Sequence, residues 1–230
     1  DRPREIWVDA MCINQEDNDE KNSQVSIMAS IYSNATNVCV WLGDEGENSH
    51  LAFEFIRRIL SLADLDRLVQ DIASVQQCAA LLDLMRTPWF ARRWIVQEII
   101  LAKRATVHCG ENAMSWTDFA DAAVLFGSRV PDIARLFRES VAFRNHADFL
   151  GDVRALAACR LVDLTYNLFR RSGEGDLLGQ LHTLETLVVM DLPSFKASNP
   201  HDTIYAVLSL AKDTYGTEER EVMSSSSDNP

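Results

Sequence analysis

Apolar residues recur along this chain in two alternating rhythms. Ile6-Trp7-Val8 and Val38-Cys39-Val40-Trp41-Leu42 are short unbroken apolar runs, each closed by an acid or a glycine, and they read as buried strands. Between them, Asp17-Asn18-Asp19-Glu20 supplies acids for a helix start, and Val25, Met28, Ile31, Tyr32 and Ala35 follow at helical spacing. Strand, helix, strand in that order predicts a parallel crossover. Asn48 or Ser49 begins a further helix through Leu51, Phe55, Ile59 and Leu62. Helices are also predicted at 79 to 85 and 94 to 102, the second ending at Lys103-Arg104, and a third strand at 105 to 109, stopped by Gly110.

Beyond Gly110 the rhythm predicts helices alone, at roughly 116 to 126, 132 to 149, 152 to 171, 176 to 190 and 202 to 212. The expected fold class is α/β, a short parallel sheet flanked by helices with a C-terminal helical extension. The division is 1–110 for the α/β core, 111–212 for the extension and 213–230 for a polar, disordered tail. Trp7 and Trp41, each inside an apolar strand, are expected to be core residues, and Cys39 and Cys109 small core residues.

Composition narrows the partners. At 230 residues and 47% hydrophobic the chain is long enough for one sizeable core. A net charge of -12 and a pI near 4.8 argue against nucleic acid, which requires clustered cations. Five scattered cysteines, with no Cys-x-x-Cys and no clustered histidines, offer no zinc set and suit a reducing compartment. No apolar run reaches the roughly 18 residues of a membrane span. Cytoplasmic location, no metal and no membrane span are the expectations.

Two segments can carry chemistry. A strand ending at Asp9 would deliver that acid to the crevice where α/β sheets hold ligands, with Asn14 and Gln15 beside it. Alternatively Asp9, Asn14, Gln15 and Asp17 satisfy backbone groups of the turn before the next helix. In Arg93-Trp94-Ile95-Val96-Gln97-Glu98-Ile99, helical spacing sets Trp94, Gln97 and Glu98 on one face, suited to a flat polar ligand or equally to a half-buried structural helix. His108 and Cys109 point to opposite sides of a strand and form no dyad. Cys12, near the expected cleft, has no neighbouring histidine to activate it. Asp202, in Asn199-Pro200-His201-Asp202, is expected to cap the last helix.

Several of these motifs stand together in one known family. Trp7-Val8-Asp9-Ala10-Met11-Cys12-Ile13-Asn14-Gln15, Val40-Trp41-Leu42-Gly43, Trp89-Phe90, Arg93-Trp94, Val96-Gln97-Glu98, Cys109-Gly110, Trp116 and Ile204-Tyr205-Ala206 closely resemble the HET, or heterokaryon incompatibility, domain of filamentous fungi. Members of that family begin with a strand ending in a Leu-Ser-Tyr-x-Trp-Gly type motif. The chain starts at Asp1 without it, so a fragment with an incomplete first-strand site is expected.

The resemblance implies a role in fungal nonself recognition leading to growth arrest or cell death. The HET domain has been likened to TIR domains, and Trp94 to Ile99 is similar to the helix on which NAD-cleaving TIR domains carry their catalytic glutamate. That likeness implies a catalytic role for Glu98, with Asp9, Asn14, Gln15, Arg93, Trp94 and Gln97 binding substrate and NAD as the substrate rather than a cofactor. The other reading is a non-enzymatic signalling module acting through self-association or protein partners.

Overall fold

A computed structural model describes residues 5–146, 148–171, 177–197 and 199–214. Helix α1 (Asp9–Cys12) is a single turn, and α2 (Asn18–Asn34) follows it, its start fixed by Asp17 accepting from the Asp19 and Glu20 amides. Strand β1 (Val38–Trp41) leads to α3 (Ser49–Ile59), α4 (Leu62–Leu68), α5 (Val75–Met85) and α6 (Ile95–Leu101). Strands β2 (Ala105–Cys109) and β3 (Asn112–Ser115) precede α7 (Trp116–Ser128) and α8 (Val130–Glu139). Helix α9 (Ala157–Asn167), strands β4 (Phe169–Arg171) and β5 (Leu177–Gln180), the turn α10 (Leu184–Thr186) and α11 (Asp202–Leu208) complete the order.

The fold is mixed α/β, with a three-stranded sheet ordered β1-β2-β3 and helices around it. β1 and β2 run parallel, Val38 opposite Ala105 and Trp41 opposite His108, and α3 to α6 form the crossover. β3 returns antiparallel through a tight turn at Gly110 and Glu111. Gly110 has φ +55°, and a Cβ there would lie 2.4 Å from Glu45 Cβ, so both conformation and space demand glycine.

One cluster of buried side chains runs from Val38 to Ala211. Helix α3 packs on α5 and α7, and α7 on α9. Stacked Phe90 and Phe119, 5.3 Å between centroids, and the edge-on pair Phe55 and Phe126 tie these layers together. Among the described residues no helix is long and apolar enough to cross a membrane.

Several expectations are corrected. The run Ile6-Trp7-Val8 is not a strand: no sheet neighbour pairs with it, Ile6 is 75% exposed, and the Val8 carbonyl instead accepts from the Met11 and Cys12 amides to start α1. The parallel pair is therefore β1 with β2. The sheet is mixed rather than purely parallel, because β3 was not expected. Trp41 is 54% exposed and Cys39 is exposed, since β1 buries only Val38 and Val40 and, among the described residues, leaves its other face open. Cys109 is buried as expected, while His108 turns the other way.

Strands also interrupt the expected helices after Gly110. The helix expected at 132 to 149 stops at Glu139, and that at 152 to 171 shortens to α9 before β4 turns back to β5. β5 and short helical turns replace the helix expected at 176 to 190. Asp202 lies inside the first turn of α11 without capping it; His201 holds the cap position. Residues 215–230, most of the expected tail, lie outside the described residues.

Candidate functional site

Helices α2 and α6 pack together, and the N-terminal segment lies near a residue of each. Trp7 meets Tyr32, in the last turn of α2, edge-on at 5.8 Å. Asp9 opens α1, and Glu98 sits in the first turn of α6. These three elements, with Arg92 just before α6, bring Asp9, Tyr32, Arg92 and Glu98 within one another's electrostatic reach.

Partial burial is the main reason that the Glu98 carboxyl is raised from 4.5 to about 7; the Arg92 guanidinium opposes the shift and the Asp9 carboxylate reinforces it. Burial, followed by the Glu98 and Asp9 charges, likewise pushes the Tyr32 phenol well above its ordinary range. Tyr32 is thus a neutral hydroxyl at any physiological pH. Among the described residues nothing hydrogen-bonds the side chains of Tyr32, Arg92 or Glu98, and the Glu98 oxygens are not sealed from solvent. A carboxyl that changes charge near neutrality, with a phenol, a guanidinium and a second carboxylate around it, is suited to proton transfer or to stabilising a cation.

The remaining expected site residues divide. Asn14 Oδ1 accepts from the Glu16 amide, and Gln15 Nε2 donates to the Asp9 carbonyl at 3.1 Å, so both side chains brace the turn between α1 and α2. Gln15 still touches the segment that positions Asp9. Trp94 is half-buried at the start of α6, next to Arg93.

Arg93 and Gln97 face a different part of the molecule. Arg93 donates from Nη1 to Thr203 Oγ1 and from Nη2 to the Phe195 carbonyl at 2.6 Å, while its amide donates to the Lys196 carbonyl at 3.0 Å. Gln97, only 2% exposed, donates from Nε2 to Ser209 Oγ at 2.8 Å. They fasten α6 to the 195–209 segment. Helical spacing placed Gln97 and Glu98 on one face, but neighbouring positions are about 100° apart, enough for the two to serve different contacts.

Tyr32 and Arg92 were not among the expected site residues. Tyr32 is an aromatic on the helical apolar rhythm of α2, and Arg92 one of a basic pair; neither pattern separates a site residue from a structural one. The cluster is carried by the N-terminal segment, two helices and the turn that holds Arg92 before α6, with no residue of a named strand in it. A separate groove of about 480 Å³ lies between α7 and α9, lined by Asp152, Arg154, Cys159, Arg160 and Asp163 among others. Burial, aided by Asp163 and Asp152, pushes the Cys159 thiol up to about 12, which makes it a poor nucleophile.

Fold and site together define a mixed α/β protein with a carboxylate cluster held between helices. Residues 1–98 match the family model described as Heterokaryon incompatibility protein (HET), a span that takes in Asp9, Tyr32, Arg92 and Glu98. The chain is also 30% identical to Heterokaryon incompatibility protein 6, OR allele, of Neurospora crassa, over 49% of this chain and 21% of that protein. The chain therefore matches only about a fifth of the length of this relative. No solved structure matches the chain.

Proposed function

We propose that this chain is part of a cytoplasmic fungal nonself-recognition protein that triggers growth arrest or cell death, and that its HET segment acts by cleaving the nicotinamide N-glycosidic bond of NAD at Glu98. The incompatibility role rests on the family match and the Neurospora crassa relative. The catalytic reading rests on one observation above others: among the described residues the Glu98 carboxyl has no hydrogen-bond partner, and burial raises it to about 7.

In this reaction the bond from ribose C1′ to the nicotinamide nitrogen breaks, and its electron pair leaves with neutral nicotinamide. The cation left on the ribose is stabilised by the Glu98 carboxylate before water adds at C1′ and releases a proton. The positively charged nicotinamide ring of bound NAD favours the ionised carboxylate before the bond breaks. Tyr32 offers a hydroxyl donor for ribose, Trp94 a plane for stacking, and Arg92 a charge for the pyrophosphate. Asp9 keeps the Glu98 proton affinity high.

The test is nicotinamide release by the purified chain and by its full-length parent, each compared with Glu98→Gln, alongside killing on expression. Glu98→Gln is expected to abolish turnover, and activity of the unaltered protein to rise with pH through about 7 as Glu98 ionises. Killing that persists in Glu98→Gln, with no nicotinamide released by any form, would reject catalysis. It would leave the second reading, a signalling module acting by association.

A further inference from the structure

Arg92 is an extended residue between two helical segments. The turn Pro88–Ala91 ends against it, with φ -72° and ψ 139°, and α6 begins at Ile95. Its backbone is fixed by Lys196, which lies alongside as an isolated parallel bridge. The Lys196 amide donates to the Ala91 carbonyl at 2.6 Å, and the Lys196 carbonyl accepts from the Arg93 amide at 3.0 Å, so the two bonds bracket Arg92. Both use the backbone of Lys196, whose side chain is exposed.

The clip is itself anchored. Phe195 is 1% exposed, and its carbonyl accepts from Arg93 Nη2 at 2.6 Å. Further along, Thr203 Oγ1 accepts from Arg93 Nη1, and Ser209 Oγ accepts from Gln97 Nε2. The side chains of the basic pair therefore part. Arg93 is engaged by the segment from 195 to 203, while Arg92 stays exposed and within electrostatic reach of Glu98 and Tyr32.

We propose that residues 195–197 are a positioning element of the Glu98 site, in which the Lys196 backbone holds Arg92 where its guanidinium acts on the Glu98 carboxylate. The attraction between two charges falls with their separation and with the water admitted between them, so a long exposed side chain acts reliably only from a fixed backbone. Opening the clip withdraws the one charge that favours ionised Glu98 and leaves Asp9, which favours the proton. Tyr32 of α2 stands beside them as a neutral phenol. Helices α9 and α11 also pack on α6, but the charges acting on Glu98 come from neither. Glu98 then keeps its proton at neutral pH. The bearing on turnover rests on the NAD reading, since a protonated carboxyl cannot stabilise a ribosyl cation; the bearing on the charge of Glu98 does not.

The experiment is carbon NMR of the Glu98 carboxyl across pH in the 230-residue chain, with nicotinamide release followed beside it. Lys196→Pro removes the donor to Ala91. It is expected to raise the Glu98 midpoint, in the same direction as Arg92→Gln and by no more, and the pH at which activity appears should rise with it. Lys196→Ala loses the same positive charge but keeps the amide, and should leave the midpoint in place. In the Arg92→Gln background Lys196→Pro should add nothing, because the clip acts only through the guanidinium.

Circular dichroism and melting temperature report the fold. If Lys196→Pro fails to fold, Thr203→Val, which keeps the shape and removes the acceptor of Arg93 Nη1, carries the test in the same two backgrounds. A midpoint that does not move in the folded variant, a shift undiminished in the Arg92→Gln background, or an equal shift in Lys196→Ala overturns the proposal. A midpoint that moves as expected, with no nicotinamide released by the chain or its full-length parent, upholds the positioning and rejects the NAD reading.

Discussion

Glu98 and Asp9, far apart in sequence, lie close enough for the Asp9 charge to help hold the Glu98 proton. This proximity goes with α2 packing against α6 and with Trp7, just before α1, meeting Tyr32 of α2. Two carboxyls brought together with partial burial favour binding a proton, or a cation in its place.

The first consequence is a pH-dependent cost to the fold. Glu98 holds its proton more tightly folded, at about 7, than at its ordinary 4.5. Below 4.5 both states are protonated and there is no penalty; between 4.5 and 7 the unfolded chain gains stability by ionising, and above 7 the penalty is complete. Glu98→Gln should therefore raise stability at pH 8 by on the order of 1–3 kcal/mol and change it little near pH 4.5. Thermal melts at the two pH values read this directly, and an equal effect at both would contradict the assigned burial.

Asp9→Asn should lower the Glu98 ionisation midpoint towards its ordinary value without reaching it, because burial is the larger cause. Arg92→Gln should move it the opposite way, since Arg92 favours the carboxylate. Carbon NMR of the Glu98 carboxyl across pH measures both shifts. Movement of the two in the same direction would break the assignment of the cluster.

Arg93→Ala should destabilise the chain by about 1–3 kcal/mol, leaving Thr203 Oγ1 and the Phe195 carbonyl without their charged donor. Arg93→Lys should recover only part of this, because an ammonium cannot span both acceptors as a planar fork does. Denaturant unfolding of the two variants separates loss of charge from loss of geometry.

Phe119, fully buried and stacked on Phe90, and Trp41, on the open face of β1, make a matched contrast. Phe119→Ala should cost about 3–5 kcal/mol. Trp41→Ala should cost less, about 1–2 kcal/mol, because more than half of its side chain is already in solvent. Comparable melting temperatures for the two variants would contradict the exposure of Trp41.

Much of the architecture was legible in the chain because local signals agreed. Asp17 and the spacing of Met28 and Tyr32 marked α2, the β-branched run from Val38 marked β1, and Ala105 to Cys109 marked β2. Ile6-Trp7-Val8 failed because an apolar run becomes a strand only beside another strand, and Trp7 found Tyr32 instead. Asn112-Ala113-Met114-Ser115 buries only Met114, too little alternation to reveal β3. Asp9 and Glu98 could be singled out as unusual acids beside apolar anchors. Tyr32 and Arg92 enter the cluster through packing between distant segments, which no local spacing encodes.

The fastening of α6 to the 195–209 segment bears on how the chain can be cut. Ending it at Glu98, where the family match stops, would sever α6 midway, strip β1 of its sheet partner and leave Arg93 and Gln97 without their acceptors. Recombinant designs that retain the Glu98 site must therefore run at least through Ser209. The span that the family model matches is shorter than the span that must be synthesised together to hold this glutamate in place.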